Sequence, residues 1–323
     1  MTLLTAAYTE VDEDQAADLA APSKQFYTVE VQPPATGDIP TTVEGFVRGM
    51  LEIQTRLLVK NTSPIVVYEI QRPRRDRLWL QFCVPTKRLG RKVRAHLSNE
   101  VPGIGFTEGV TRLPVVPGDS IGGGILTTGR KDRFPLRTEF EATPPINGLI
   151  STLHSDSMRD TRFVVQILFK PVAGEPVREW LRKRRSHKTM DFLRKEQEKL
   201  WGSRSATPRE RKQADLVERK MDQRRFWVSI RFAVIGAGEF TASRVKEIAG
   251  SFNVYESLES NQYIDTVTIR GLRQKRFLEF YRALGSRTFG GYSLRFQASI
   301  EELAGLVSIP DINDQENIQY AQL

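Results

Sequence analysis

One cysteine and three histidines are all that this 323-residue chain offers for thiol or imidazole chemistry, and the shortage removes several function classes at once. A disulfide needs two cysteines, and zinc sites draw several Cys or His ligands at short spacing. Cys83 stands alone in Leu78-Trp79-Leu80-Gln81-Phe82-Cys83-Val84, an apolar run that reads as a strand with the small thiol facing a core. His96, His154 and His187 form neither the HxH pair of a metal-dependent DNA-nicking enzyme nor an i, i+4 pair on one helix face. His154 therefore reads as a capping or surface residue, and no metal or cofactor is expected. Long apolar runs are missing too, since nothing approaches the ~18 residues of a membrane-spanning helix. Residues 1–18 are acidic and Ala-rich where a signal peptide would be basic and then apolar. The expectation is a cytoplasmic protein with no membrane insertion.

Positive charge is what the chain has in excess. Its 48 Lys and Arg outnumber 39 Asp and Glu, a formal +9, and the surplus is local. Between Arg178 and Arg225, 17 Lys or Arg face 8 Asp or Glu, so this segment alone accounts for the net charge. A surplus so concentrated points to an acidic partner met there.

The length suits two packed units of roughly 100–200 residues each. Residues 1–24 lack periodicity and carry Thr9-Glu10-Val11-Asp12-Glu13-Asp14, the composition of a disordered acidic tail. Beyond it the pattern predicts a strand at 26–31, a helix over 43–53, strands at 65–70 and 78–84, a helix over 86–97, and strand-like pieces at 105–110, 124–128 and 136–140. This is the split βαβ order of a ferredoxin-like unit. A similar order recurs, with helices at 147–154, 242–252 and 274–284 and strands at 163–169, 226–234, 263–269 and 294–298. The predicted fold is α+β: two ferredoxin-like (split βαβ) halves, 25–142 and 143–310, with a charged helical-hairpin insertion over 177–225 in the second and a tail at 311–323. The hairpin breaks before Thr207-Pro208, a pair that caps and starts a helix. Its apolar stripe, Phe192, Leu193, Leu200, Leu216, Val217 and Met221, is thin, so it reads as a projecting arm that folding does not need.

Two glycine clusters invite a nucleotide-binding reading. Gly124 and Gly129 have the phosphate-loop spacing, but Arg130-Lys131-Asp132 stands where a lysine and a magnesium-binding hydroxyl belong. A glycine-rich turn, with Arg130, Lys131 and Arg133 solvated or touching phosphates, fits better. Gly236-Ala237-Gly238 lacks the third glycine of a dinucleotide loop and reads as a strand-to-helix turn capped by Thr241.

Basic clusters are the remaining signal. Arg72, Arg74, Arg75 and Arg77 crowd one turn; Lys87, Arg88, Arg91, Lys92 and Arg94 crowd one short helix. Arg178, Arg182, Lys183, Arg184, Arg185 and Lys188 head the arm beside Trp180. A phosphate backbone rewards such density through counterion release, with Trp180 placed either to stack on a base or to pack on its own domain. The competing reading is a set of solvated helices, or a surface for an acidic protein face.

From residue 163 onward the order of features resembles the region preceding the motor domain in archaeal plasmid proteins of the HerA-type and conjugative type IV secretion coupling ATPase group. The carrying residues are Gln166-Ile167-Leu168-Phe169-Lys170-Pro171, Trp180, the charged helical pair, Arg231-Phe232-Ala233-Val234 with Ala242 and Val245-Lys246, and the closing Ser299-Ile300-Glu301-Glu302-Leu303-Ala304-Gly305-Leu306-Val307-Ser308-Ile309-Pro310. The resemblance covers about residues 25–315 and implies a fragment or a stand-alone relative without the engine, so ATP hydrolysis does not carry over. The first functional expectation is a non-catalytic accessory or N-terminal module of a DNA-translocating or plasmid-transfer machine, contacting DNA or partner subunits, among them the motor ATPase, through its basic faces. The second is a stand-alone, sequence-tolerant nucleic-acid-binding protein, and a weaker third is a hydrolase assembled from distant residues. No small-molecule substrate is expected; homo-oligomerisation and the choice of DNA or RNA stay open.

Overall fold

A computed structural model describes residues 5–21, 26–35, 39–57, 60–74, 76–174, 176–194, 197–199 and 202–311. The first elements are β1 (Tyr8–Glu10), α1 (Glu13–Ala20), β2 (Tyr27–Gln32), α2 (Glu44–Gly49), the short ladder of β3 (Thr55–Arg56) and β4 (Lys60–Asn61), β5 (Val66–Arg74) and β6 (Arg77–Val84). Then come α3 (Lys87–Glu100), β7 (Gly105–Glu108), β8 (Ser120–Thr128), α4 (Asn147–His154), β9 (Arg162–Pro171) and α5 (Pro176–Arg194). A second short ladder, β10 (Gln197–Lys199) and β11 (Gly202–Arg204), leads to α6 (Pro208–Asp222) and β12 (Arg225–Ile235). The remaining elements are α7 (Thr241–Gly250), β13 (Ile264–Thr268), α8 (Lys275–Ser286), β14 (Phe296–Ser299) and α9 (Ile300–Leu306).

Ten of the strands form one antiparallel sheet in the order β1-β8-β12-β9-β5-β6-β2-β7, with β13 also beside β8 and β14 also beside β12. The order contains a repeat. Taking β2, β5, β6 and β7 as the first to fourth strands of one set, and β8, β9, β12 and β13 as those of another, each set lies in the order fourth, first, third, second. The two second strands, β5 and β9, pair antiparallel at the centre from Val66 opposite Phe169 to Arg72 opposite Phe163.

Alternation along the strands builds two faces. On one face Tyr68, Phe82, Ile167, Ile230 and Phe232 meet apolar residues of α2, α3, α4, α7 and α9 in the main core. The other face changes character along its length. At one end Ile121, Ile125, Val164 and Ala233 lie under Phe277, Phe280, Tyr281 and Leu284 of α8, with Ala16 and Leu19 of α1 alongside. In the middle the face turns polar, and Glu69, Gln71, Gln81, Gln166 and Arg231 are all fully buried.

Several expectations change here. Residues 8–20 are not a disordered tail: β1 pairs with β8 from Tyr8 opposite Gly122 to Glu10 opposite Ser120, and Asp12 and Gln15 form a reciprocal capping box that starts α1. β8, placed in the first half by the boundary at 142, pairs instead with β1, β12 and β13. Residues 136–140 join no ladder. The glycine run preceding Gly129 lies within β8, where packing demands it: a Cβ on Gly123 would sit 2.2 Å from the Phe232 carbonyl oxygen. The predicted tail beyond 311 lies outside the described residues.

The arm does not project. Thr207 caps α6 with Glu210 completing the box, as the Thr-Pro pair suggested, but α6 then buries Ala214, Val217 and Met221 against Met190 of α5 and Phe134. Lys220, 3 % exposed, bonds Glu302, which is fully buried, at 2.8 Å. Glu302 also accepts from the Leu136 backbone N–H at 2.7 Å and from that of Ser299 at 2.7 Å. A charge pair so deep in the protein makes α6 part of the body. Among the described residues no helix is long and apolar enough to cross a membrane.

Candidate nucleic-acid interface

Beyond the buried polar stretch, the second face of the sheet ends in an open cleft of about 670 Å³. Its floor is a row across three strands: Lys170 of β9 lies opposite Trp227 of β12, and Trp227 lies opposite Gln297 of β14. Directly opposed residues share a face, so the pleat sets these three side chains together. One wall is α5 and the other the loop after β8.

Seven cations line this cleft against two carboxylates: Lys131 and Arg133 from the loop, Lys170, Arg182 and Arg185 of α5, Arg225 and Arg295, with Asp132 and Glu179. Two of the cations pair with these two carboxylates. Arg182 bonds Asp132 at 2.6 Å, and Arg225 pairs with Glu179. Asp132 also accepts from the Gln297 backbone N–H at 3.0 Å, tying loop, arm and β14 into one unit. Arg133 instead donates to the Arg185 carbonyl and the Thr189 hydroxyl, which are neutral, and forms no ion pair among the described residues. Burial lowers the Arg133 guanidinium below its ordinary value, with Asp132 opposing and Arg182 and Arg185 adding to the effect. Lys131, Arg185 and Arg295 are exposed and form no ion pair among the described residues.

The loop is held rigidly. Buried Gln262 donates its amide to the carbonyls of Arg130, Lys131 and Phe134 at 3.3, 3.2 and 3.0 Å and accepts from the Arg130 N–H at 2.9 Å. Trp227 lies between the strand rows with the Arg182 guanidinium 4.8 Å and the Arg295 guanidinium 5.7 Å from its ring centroid. Preset cations around an aromatic floor suit a planar, anionic ligand.

Comparison with known proteins adds a family and no activity. Residues 1–323 match the profile of a family described as a domain of unknown function, DUF8128. The chain belongs to that family. No curated protein matches it.

The predicted basic residues of this DUF8128 chain divide. Arg182 and Arg185 line the cleft. Trp180 is 56 % exposed with the Arg184 guanidinium 5.3 Å from its ring centroid. Lys188 continues that stripe at helical i, i+4 spacing, so Trp180, Arg184 and Lys188 form the outer face of α5. Lys183 lines a separate shallow groove with Leu51, Ile53 and Trp180. The side chain of Arg178, and Arg75 altogether, lie outside the described residues.

Arg72 is the clear correction. It is not in an exposed turn but within β5, fully buried, donating to the carbonyls of Met158 and Thr161 at 2.7 and 3.1 Å. Arg74 and Arg77 are exposed at the hairpin tip, Arg77 lying over Trp79, beyond the far end of β9 from the cleft, roughly 30 Å away at ~3.3 Å per residue. On α3, Lys87 lies over Tyr27 and Arg91 is exposed, while Arg88 is spent locally on Glu52. The Arg88 bond, opposed by burial and helped by Lys92, holds the Glu52 carboxyl below its usual range.

Sequence reasoning missed Lys170 of β9, Trp227 of β12, Gln297 of β14 and Arg295 just before β14, which reach one cleft only through strand pairing. Lys131 and Arg133 were visible as a basic loop. The sequence does contain one nucleophile-elbow spacing, Gly118-Asp119-Ser120-Ile121-Gly122, against the expectation that it holds none. Ser120 opens β8 rather than closing a strand-to-helix turn, and its hydroxyl accepts from the Gly238 N–H at 2.7 Å, so it is not presented as a nucleophile. Thr241 bonds back to the Gly238 carbonyl at 2.7 Å rather than capping a helical N–H. His154 is half-buried; burial lowers its imidazole, with the Ile150 carbonyl opposing and Arg72 adding. No group of three or more His, Cys, Asp or Glu suited to a metal occurs among the described residues.

Proposed function

We propose that this protein is a non-catalytic, sequence-tolerant nucleic-acid-binding module that grips a phosphate backbone along the cleft between α5, the loop after β8 and the end of the sheet. The observation that carries the reading is the ring of seven cations against two carboxylates, four of the cations being unmatched Lys131, Arg133, Arg185 and Arg295. Phosphate contacts of this kind position a chain without reading its sequence. The outer stripe of α5 extends the same charge onto the surface.

Within this proposal the two strand sets are ferredoxin-like units joined through their second strands, a reading supported by the repeated order fourth, first, third, second. The resemblance to pre-motor regions supports a place beside a DNA-translocating ATPase in the cytosol. The segment carrying that likeness is built into the body: Tyr68 and Tyr255 donate their hydroxyls to the Ser308 and Gly305 carbonyls at 2.8 and 3.2 Å. Residues 299–310 are therefore a fixed part of the body.

Four unmatched cations set the expected salt dependence. At ~0.7 per phosphate on a single strand, the log–log slope is about −3, an affinity loss of about 60-fold between ~50 and ~200 mM salt. Anisotropy with two labelled oligonucleotides of unrelated sequence should give similar affinities and that slope. Reversing Lys131, Arg185 and Arg295 to Glu should weaken binding by more than about tenfold and flatten the slope. Absence of binding at ~50 mM salt, or an unaffected triple variant, would overturn the reading.

A further inference from the structure

We infer that the cleft floor receives one unstacked nucleobase, making single strands the ligand; this rests on the nucleic-acid reading above and assigns its substrate class. Gln297 is the deciding residue. It is 2 % exposed, lines the cleft, and both its amide oxygen and its amide nitrogen lack a hydrogen-bond partner among the described residues. Buried polar groups are nearly always paired, and one left unpaired carries the cost of its desolvation. An amide with donor and acceptor both unspent matches the donor–acceptor edge of a nucleobase, as Asn and Gln do when they bond base edges.

The surroundings suit the same ligand. Trp227, directly across the ladder from Gln297, offers an indole bounded by the planar guanidinium groups of Arg182 and Arg295. Aromatic and guanidinium planes are the surfaces on which splayed-out bases stack. Lys131, Arg133 and Arg185 stand around this floor, where the phosphates flanking an inserted base would run. The volume of about 670 Å³ lies within the ordinary range for small-ligand pockets. A base in a duplex has its Watson–Crick edge paired and its faces stacked, so it cannot enter between these planes and offer that edge to Gln297 without leaving the helix.

The test compares three labelled probes on the full chain: a single strand of about 20 nucleotides, longer than one such site, an abasic strand with the same number of phosphates, and a duplex. The base-bearing strand should bind about tenfold more tightly than the abasic one, the size of one stacked base. Trp227→Leu and Gln297→Leu should each reduce that preference while leaving the salt slope unchanged. A strand carrying 4-thiothymidine should photocrosslink to the peptide containing Trp227 in the unsubstituted chain, a readout that no folding defect of a variant affects. Equal affinity for abasic and base-bearing strands, or preference intact in Gln297→Leu, would refute the base pocket while leaving backbone binding standing. A mononucleotide competing as well as the strand would overturn the assignment to strands. Failure of every probe to bind at ~50 mM salt would remove the underlying reading as well.

Discussion

Glu69 lies at the centre of the polar stretch, and replacing it by Gln should cost more stability than any surface change. Arg287, just after α8 in a left-handed conformation (φ 51°), grips its carboxylate with two bonds, Nη2 to Oε1 at 2.8 Å and Nε to Oε2 at 3.0 Å. The amides of Gln71, Gln81 and Gln166 donate to the same carboxylate at 2.6, 2.7 and 2.6 Å. Arg287, Gln166 and Arg231 also donate to the carbonyls of Gly285, Leu284 and Ala283 at the end of α8 at 3.2, 3.0 and 2.7 Å. The network thus clamps α8 onto the sheet. Glu69→Gln keeps the shape, strands the buried Arg287 charge and turns an NH2 toward donors. Removing one partner of a buried pair costs about 3–5 kcal/mol, a large share of the ~5–15 kcal/mol that stabilises a typical domain. Urea titration followed by circular dichroism would measure it, and the double variant Glu69→Met with Arg287→Met should recover part of the loss. A cost below about 1 kcal/mol for Glu69→Gln would refute the reasoning. The pH dependence has a definite sign. Burial by itself would raise the Glu69 carboxyl, but Arg287, with Gln71 and Gln166, outweighs it and holds the group below its ordinary value. Its stabilisation is therefore complete above the unfolded value of about 4.3 and is lost as pH falls through the lower folded value. That acid dependence should be absent from Glu69→Gln.

Lys220→Ala strands Glu302 in the core and should lower stability by about 3 kcal/mol or more, read from the same urea titration; a change under about 1 kcal/mol would restore the picture of a loosely attached arm. Burial, reinforced by Glu69 and opposed by Arg287, pushes the Cys83 thiol up to about 12, so at pH 8 only about one thiol in ten thousand is the reactive thiolate. Native chain should react with a disulfide reagent far more slowly than chain in urea, and equal rates would place Cys83 outside the core.

Local patterning carried the elements whose cause is local. The near-continuous apolar run Phe163-Val164-Val165-Gln166-Ile167-Leu168-Phe169 marks β9 because both faces of this central strand are buried, Phe163, Val165, Ile167 and Phe169 in the main core and Val164 and Leu168 on the other side. Thr207, Pro208 and Glu210 mark the start of α6 because a cap needs only its own four residues. Cys83 was legible for the same reason. The α+β class follows from the sum of such signals.

Charge density misled wherever a partner distant in sequence decides exposure. Arg72 looks like its neighbours Arg74 and Arg77, yet pairing of β5 with β9 encloses it and leaves them outside. The segment around Asp12 is acidic enough for a tail, but β8, more than a hundred residues later, gives its backbone a ladder to join. The apolar stripe of α6 is thin because part of its buried face is Lys220, which only Glu302 makes tolerable there.

What the sequence alone determined, then, is the class of fold, most of the helices and strands between β2 and α9, and a cationic surplus concentrated between Arg178 and Arg225. The cleft was decided by tertiary structure. Lys170, Trp227 and Gln297 are separated by dozens of residues, and register places them in one row across β9, β12 and β14. A one-residue slip would turn each side chain to the opposite face of the sheet. Sequence records which residues carry charge or an amide; only strand pairing decides which of them share a surface.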